Sequence, residues 1–155
     1  MVTFQLHLGD EAVGQAFPRQ PLCVEPRDTI RHVFQVLKEQ RRGCVLICQD
    51  EQLVGIFTER DALQWMVDGG DLDQPIETVM RRPVTTLSGA AYVGTAIQKM
   101  SQAGFRRLPI VDESNKPTGV LTSKTILHYL VQHFPTIVYT LPPEPHHRMQ
   151  DREGA

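Results

Sequence analysis

The sequence predicts an α/β (α+β) protein built from two repeats, each a small sheet packed against two helices. The first indication is a repeated phrase: residues 55–61 read GIFTERD, and residues 119–125 read GVLTSKT. The second is a helical pattern of apolar residues that begins at Ile30 and returns at Val93, 63 positions later. The third is a pair of short apolar runs between this helix and the phrase in each copy. Self-similarity at a fixed spacing indicates a repeat architecture.

The predicted elements follow in the order helix, strand, strand, helix in each copy. In the first helix Ile30, Val33 and Leu37 fall on one helical face. Apolar runs bounded by turn residues predict two strands in each copy, at residues 44–48, 53–57, 108–111 and 117–121. The strands repeat at a spacing of 64, so the second copy has one extra residue between its first helix and its first strand. A second apolar helical pattern follows the phrase in both copies.

An extended, proline-containing segment precedes each copy. Pro21 and Pro83 restrict the chain in these lead-ins. We expect a first repeat with its lead-in at residues 1–70, a second repeat at 71–134, and a C-terminal arm and flexible tail at 135–155. His146 and His147 in the tail lack a third ligand at helical or turn spacing, so no metal site is expected there.

The composition argues against several classes of function. The chain has 155 residues, 41% of them hydrophobic, and a formal net charge of −2 without a broad basic stripe, so nucleic acid is not an expected partner. It has no apolar run long enough to span a bilayer and no secretion pattern, so we expect a cytoplasmic protein without a membrane partner. Common hydrolase, metalloprotease and P-loop motifs do not occur, and the three cysteines form no C-x-x-C motif. We therefore expect a protein that is not an enzyme and requires no cofactor.

The repeated phrase and its surroundings resemble the tandem CBS domain, a regulatory module named after cystathionine β-synthase. The resemblance covers residues 13–134 and is most specific in GIFTERDAL of the first copy and RRLPIVDESNKPTGVLTSKTIL of the second. It implies that the copies form one pseudo-twofold unit, with their strands packed back to back and two clefts between them. It also implies that each cleft can hold an adenosine derivative such as AMP, ADP, ATP or S-adenosylmethionine.

The two copies differ at the last position of the phrase, where the first has Asp61 and the second has Thr125. A carboxylate can accept both hydroxyl hydrogens of a ribose, while phosphates bind near a helix N-terminus such as the one at Thr58. Asp61 is therefore the expected ribose-binding residue. A structural alternative remains open, because Thr58 and Asp61 also have the spacing of a capping box.

We expect the cleft of the first copy to be the principal nucleotide site. By the resemblance, a basic residue before the middle strand reaches the phosphates, and Arg42 is the first-copy match to Arg106. The resemblance also implies that the lead-in of the second copy covers this cleft, with Val84 as the best candidate for contact with adenine. The predicted nucleotide-binding residues are Asp61, Thr58, Arg60, Arg42, Val84, Pro83, Val79 and Ile56.

The cleft of the second copy is predicted to be empty or weaker. Thr125 has one uncharged hydroxyl, so it cannot replace a carboxylate that accepts two ribose hydrogens. The residues expected at this weaker cleft are Thr122, Lys124, Thr125, Arg106 and Pro21.

The sequence thus predicts a regulatory module that senses an adenine nucleotide or S-adenosylmethionine and passes the signal to a partner protein. Exposed apolar faces of the helices that contain Trp65 and Tyr129 are expected to form a homodimer. The alternative is a ligand-independent dimerisation or scaffolding module.

Overall fold

The described part of the chain, residues 11–16 and 18–133 of a computed structural model, forms two halves with the same order of elements. The first half contains β1 (Cys23–Val24), α1 (Ile30–Glu39), β2 (Cys44–Gln49), β3 (Gln52–Thr58) and α2 (Glu59–Val67). The second half contains β4 (Leu87–Ser88), α3 (Val93–Ala103), β5 (Arg107–Val111), β6 (Pro117–Thr122) and α4 (Ser123–His133). Short 3-10 turns at Val13–Gln15 and Ile76–Thr78 precede the two halves. The predicted arm and tail at residues 135–155 lie outside the described residues.

Each half is a small three-stranded sheet with two helices. The strand order is β1-β2-β3 in the first sheet and β4-β5-β6 in the second. In both sheets the short first strand runs parallel to the next one, and the last two strands form an antiparallel hairpin. The predicted α/β (α+β) class with two repeats is confirmed.

Local sequence signals set where the helices begin and end. The Oγ1 of Thr29 accepts a hydrogen bond from the backbone N–H of His32 at 3.2 Å, which caps the start of α1. Gly104 ends α3 with a φ of 67°, a left-handed conformation that glycine adopts without a Cβ clash. The extra residue of the second copy lengthens this helix, because α3 has 11 residues and α1 has 10.

Each half has its own hydrophobic core, and each core includes a residue from the lead-in of the other half. Val13 and Ala16 are fully buried in the core of the second half, which contains Leu108. Ile76, which precedes the second half, is fully buried in the core of the first half, which contains Phe57. Burial of a Val or Ile side chain stabilises the fold by about 1.5–3 kcal/mol. The lead-ins are therefore exchanged, and each core contains residues from both sides of the predicted boundary at residues 70 and 71.

This exchange explains the glycine that opens each copy of the phrase. A Cβ on Gly55 would overlap the side chain of Met80, which belongs to the second lead-in. A Cβ on Gly119 would lie 3.1 Å from the Cβ of Pro18, which belongs to the first lead-in. Glycine is required where one segment passes this closely over another.

Matching backbone contacts relate the two halves by a pseudo-twofold arrangement. Ile56 of β3 forms an isolated antiparallel bridge with Arg81 of the second lead-in. Val120 of β6 forms the equivalent bridge with Arg19 of the first lead-in. Each lead-in thus lies beside the strand that ends in the repeated phrase of the other copy.

The two sheets meet in a third apolar cluster. Its buried members are Leu46 and Leu53 from the first sheet, Val120 from the second, and Cys44. At one end of this contact the backbone N–H of Leu53 donates to the carbonyl oxygen of Asn115 at 3.0 Å. The Asn115 side-chain amide donates in return to the Leu53 carbonyl oxygen at 3.0 Å. These paired bonds fix the two hairpins against each other.

The helices α2 and α4 carry exposed apolar side chains, although not through the two aromatic residues that marked them in the sequence. Tyr129 is fully buried in the core of the second half, and Trp65 packs partly buried against the core of the first. The exposed apolar residues on these helices are Leu63, Met66, Val67 and Leu127. Among the described residues, no helix has the length and apolar character needed to cross a membrane.

Candidate functional site

The larger of two clefts lies between the halves and has a volume of about 830 Å³. One wall is the end of β3 and the start of α2, including Ile56, Thr58 and Arg60. The opposite wall is the second lead-in, residues 80–85, and the segment that precedes β5. Ligand sites commonly have volumes of about 300–1,000 Å³. The cleft is therefore large enough for a small organic ligand.

The carboxylate of Asp61 is fully engaged beside this cleft. Its Oδ2 accepts hydrogen bonds from the backbone N–H of Thr58 at 2.9 Å and from the Thr58 hydroxyl at 2.7 Å. Its Oδ1 accepts a hydrogen bond from Nε of Arg81 at 2.6 Å. The Asp61 side chain is only 9% exposed, whereas that of Arg81 is 63% exposed. The capping box that the sequence allowed is therefore formed, and Arg81 covers the remaining carboxylate oxygen.

The structure brings together five of the eight residues predicted for the principal site. These five residues, which line the larger cleft, are Ile56, Thr58, Arg60, Pro83 and Val84. Asp61 and Val79 do not line it. Arg42 lies in the other cleft, where its Nη2 donates to the carbonyl oxygen of Gln20 at 3.1 Å. Counting by the repeat placed Arg42 on the wrong side of the pseudo-twofold arrangement, because the segment before each middle strand borders the cleft of the opposite copy.

The smaller cleft has a volume of about 380 Å³ and lies beside the repeated phrase of the second copy. Of the residues predicted for it, Thr122, Lys124 and Arg106 line this cleft, whereas Pro21 and Thr125 do not. The Thr125 hydroxyl accepts from the Thr122 backbone N–H at 3.0 Å and donates to the Thr122 carbonyl oxygen at 2.9 Å. Thr125 therefore helps to form the start of α4 and presents no acceptor to the cleft.

The two clefts share three residues at the middle of the molecule. Glu59, Arg106 and Arg107 line both of them. Nη2 of Arg107 lies 3.6 Å from Oε2 of Glu59. A Cβ at Gly43 would overlap the Arg107 guanidinium group. Because Gly43 and Arg107 are separated by the repeat spacing of 64, the arginine of one copy occupies the space that a side chain at the matching position of the other would need.

Sequence reasoning missed the concentration of positive charge at these clefts. Nine of the 16 Lys and Arg residues line one cleft or both. The chain contains three Arg-Arg pairs, and all of them lie here: Arg41–Arg42, Arg81–Arg82 and Arg106–Arg107. The net charge of −2 concealed this cluster, because acidic residues elsewhere balance the total. The three pairs were the signal that could have revealed it.

Burial and hydrogen bonding shift the pKa values of cysteine thiols in the first sheet. Cys44 lines the smaller cleft, and burial raises the pKa of its thiol above the ordinary value, although Arg107 and Arg42 oppose that shift. A hydrogen bond with Cys48 lowers the pKa of the exposed Cys23 thiol to about 7. The residues described contain no group of three or more His, Cys, Asp or Glu side chains arranged to hold a metal ion.

The family is established by sequence. Two segments, residues 13–68 and 76–132, match the CBS domain family. The chain belongs to the CBS domain family. It is 33% identical over 126 residues to an uncharacterized protein of Methanopyrus kandleri, a match that covers 77% of this chain and 64% of that protein. It is 30% identical over 105 residues to a CBS domain-containing protein of Bacillus subtilis, covering 67% of this chain and 75% of that one.

One relative is a longer enzyme. An arabinose 5-phosphate isomerase of Escherichia coli is 35% identical over 80 residues, which are 51% of this chain and 25% of the enzyme.

Solved structures of CBS domain pairs have the same fold. A CBS domain protein of Pyrobaculum aerophilum, complexed with AMP, superposes with a TM-score of 0.70 at 25% identity, covering 78% of this chain and 98% of that chain. A CBS domain pair in complex with 5′-methylthioadenosine and S-adenosylmethionine superposes with a TM-score of 0.71 at 23% identity. That match covers 78% of this chain and 96% of the other. The resemblance to the tandem CBS domain that the sequence showed is confirmed.

Proposed function

We propose that this CBS pair is a regulatory module that binds an adenosine-containing small molecule in the larger cleft and transmits its occupancy to a partner protein. The observation that carries the proposal is the cleft itself, whose walls combine apolar side chains, a helix N-terminus at Thr58 and several arginines. This combination suits a ligand with a flat apolar base and an anionic group. The complex of the Pyrobaculum relative with AMP supports the same class of ligand.

We propose that different residues of the lining contact the adenine and the phosphates of such a ligand. Ile56, Pro83 and Val84 supply the apolar surface for adenine. Arg60 and Arg106 supply charge for phosphates near the start of α2. Arg106 thus takes the phosphate role that the sequence gave to Arg42, because Arg106 borders this cleft and Arg42 does not.

The arginines also favour one group of adenosine compounds over another. Five arginines line the larger cleft, at positions 60, 81, 82, 106 and 107, together with the single carboxylate of Glu59. AMP, ADP and ATP are anions that these side chains attract, whereas the sulfonium group of S-adenosylmethionine is a cation. We therefore propose that a phosphorylated nucleotide is preferred to S-adenosylmethionine.

Binding of a ribose by Asp61 requires Arg81 to release it. The capping bonds from Thr58 occupy Oδ2, and Arg81 occupies Oδ1. An ion pair with one exposed partner contributes only about 0–1 kcal/mol, so a ligand can displace the guanidinium group at a small cost. We propose that the ribose takes the place of Arg81 on Oδ1 and that the released arginine becomes available to the phosphate.

A different class of function is a ligand-independent dimerisation or scaffolding module. The exposed apolar residues of α2 and α4, among them Leu63 at 65% and Leu127 at 59% exposure, favour self-association. We propose that a homodimer forms through this surface in either case. Neither alternative is catalytic, and neither requires a cofactor.

A thermal-shift panel separates the two alternatives. A ligand that binds only the folded state stabilises it by about 2.7 kcal/mol at a concentration 100 times its Kd. AMP, ADP and ATP are therefore expected to raise the melting temperature, and adenosine and S-adenosylmethionine to raise it less. Guanosine monophosphate provides the control for the base. A melting temperature unchanged by every adenosine compound would favour the scaffolding module.

A further inference from the structure

The smaller cleft is the more strongly cationic of the two for its size. Six cationic side chains line its volume of about 380 Å³, with one carboxylate, that of Glu59. The cationic residues are Arg19, Arg41, Arg42, Arg106, Arg107 and Lys124. Like charges gathered in a concave site repel one another and create a positive potential that attracts anions.

Few of these charges have a partner among the residues that the structure describes. Over residues 11–16 and 18–133, the ion pairs include only one member of the cluster, Arg107, which lies 3.6 Å from Glu59. Arg42 donates to a neutral carbonyl oxygen, that of Gln20. The larger cleft differs, because its Arg81 is paired with Asp61 at 2.6 Å. The cluster therefore retains most of its charge for an external anion.

The smaller cleft lacks the group that would recognise a nucleoside. Thr125 replaces the carboxylate of the first copy, and its hydroxyl is bonded to the backbone of Thr122. The position equivalent to Arg81 is Arg19, since both form the isolated bridge to the neighbouring strand. Because Thr125 carries no charge, Arg19 has no carboxylate to pair with at this position and adds to the cationic lining.

We propose that the smaller cleft is a separate binding site for an oligophosphate, which it recognises by charge and without a nucleoside. Arginine and lysine bind phosphate oxygens through charge-assisted hydrogen bonds, and an oligophosphate offers several such oxygens along a short chain. The start of α4, beside Thr122 and Ser123, adds the positive end of the helix dipole at the same place. This site goes beyond the adenosine site of the larger cleft and does not depend on it.

Calorimetry with inorganic tripolyphosphate tests the site on the full chain. The ionic strength should be about 0.15 M, where exposed charges farther apart than about 8 Å are screened. Lys124→Gln and Arg42→Gln are each expected to weaken binding about 10-fold. Arg31→Gln is the matched control. It removes one positive charge, as the other two substitutions do, but Arg31 lies on the exterior, where it pairs with Asp73. Equal weakening by Arg31→Gln would mean diffuse attraction and would overturn the proposal.

Equivalent positions in the two copies reveal which cleft holds the anion. Arg60 lines only the larger cleft and Lys124 only the smaller one, at the repeat spacing of 64. If Arg60→Gln weakens tripolyphosphate binding as strongly as Lys124→Gln does, the anion occupies the larger cleft and the proposal fails. AMP binding is measured on the same variants, so a protein that binds tripolyphosphate but no AMP would refute the nucleotide proposal alone.

A substitution at Thr125 tests whether an added negative charge lowers the affinity for tripolyphosphate. Thr125→Asp places a carboxylate where Arg19 can pair with it, as Arg81 pairs with Asp61 in the other copy. Tripolyphosphate binding is then expected to fall at least several-fold, because one negative charge is added and one arginine is withdrawn. Thr125→Asn is the neutral control and is expected to change the affinity less than twofold. An undiminished affinity in Thr125→Asp would contradict recognition by charge.

Discussion

Arg81 donates from Nε to Oδ1 of Asp61 at 2.6 Å, and this ion pair joins the lead-in of the second copy to the first helix that follows the repeated phrase. The contact occupies Oδ1 of Asp61, a carboxylate oxygen that would otherwise be available to a ribose hydroxyl. Its second partner, Thr58, holds the other carboxylate oxygen within the capping box. Asp61 thus has a structural role in the protein whether or not a ligand is bound.

Asp61→Ala is expected to lower both stability and nucleotide affinity. Loss of the Asp61 carboxylate from the first turn of α2 costs about 0.3–1 kcal/mol of the free energy of unfolding. Loss of the ribose contact costs about 1.5–3 kcal/mol of binding free energy, which is a 10- to 150-fold weaker affinity. Thr125→Ala is the matched control and is expected to leave affinity for AMP unchanged. Denaturation and calorimetry measure the two effects, and an unaltered AMP affinity in folded Asp61→Ala would leave the carboxylate with the capping role alone.

Arg81→Ala is expected to raise the affinity for adenosine, which has a ribose but no phosphate. The variant frees Oδ1 of Asp61, so the ligand no longer has to displace an ion pair worth about 0–1 kcal/mol, and binding strengthens by up to about fivefold. For AMP the gain is offset, because Arg81 no longer assists the phosphate. Arg82→Ala is the control, since Arg82 lines the cleft without the bond to Asp61. Weaker adenosine binding by Arg81→Ala would contradict competition for Asp61.

Gly55→Ala is expected to destabilise the fold more than Gly119→Ala. A Cβ at position 55 would overlap Met80, whereas at position 119 it would meet Pro18 at 3.1 Å. Overpacking of this kind costs about 1–3 kcal/mol, and the cost is lower where a small shift of the neighbour relieves it. Urea denaturation of both variants measures the difference. Equal stability losses would show that the second lead-in yields as easily as the first.

Cys23 is expected to be the most reactive thiol of the first sheet near neutral pH. The hydrogen bond from Cys48 lowers the pKa of Cys23 to about 7, so its thiolate fraction rises through that pH. Burial raises the pKa of Cys44, and the hydrogen bond with Cys23 raises the pKa of Cys48, so both are expected to react more slowly than Cys23. Mass spectrometry after iodoacetamide treatment at a series of pH values measures the order. In Cys48→Ala the midpoint for Cys23 is expected to move up toward about 8.5, the unperturbed pKa of cysteine, and an unmoved midpoint would rule out the hydrogen bond as its cause.

The double substitution Leu63→Lys with Leu127→Lys is expected to break a homodimer. Both side chains are exposed apolar groups on α2 and α4, and two lysines on each copy would repel across a twofold interface. Sedimentation at micromolar concentration is expected to show dimer for the unaltered chain and monomer for the variant. Tyr92→Lys is the control, because Tyr92 is also an exposed apolar residue, at 50% exposure, but lies at the start of α3 and not on α2 or α4. A monomeric unaltered chain would refute the proposed dimer.

The periodicity of the sequence alone predicted the two repeats, the order of their elements and the segments that became strands. Such signals are local: Ile30, Val33 and Leu37 repeat at helical spacing, and all three are buried in the structure. Thr58 and Asp61 were also assigned the spacing of a capping box, which is formed because the two residues lie within one helical turn.

The tertiary structure decided which parts of the two copies meet. The exchange of the lead-ins placed Met80 over Gly55, and the packing of the two halves put Arg42 beside the smaller cleft instead of the one predicted from the repeat. The packing of the two halves also brought together three Arg-Arg pairs that lie far apart in a chain with a net charge of −2. Periodicity reports which face of an element is buried, but the charge of a cleft depends on contacts between segments distant in sequence, and the packing of the two halves sets those contacts.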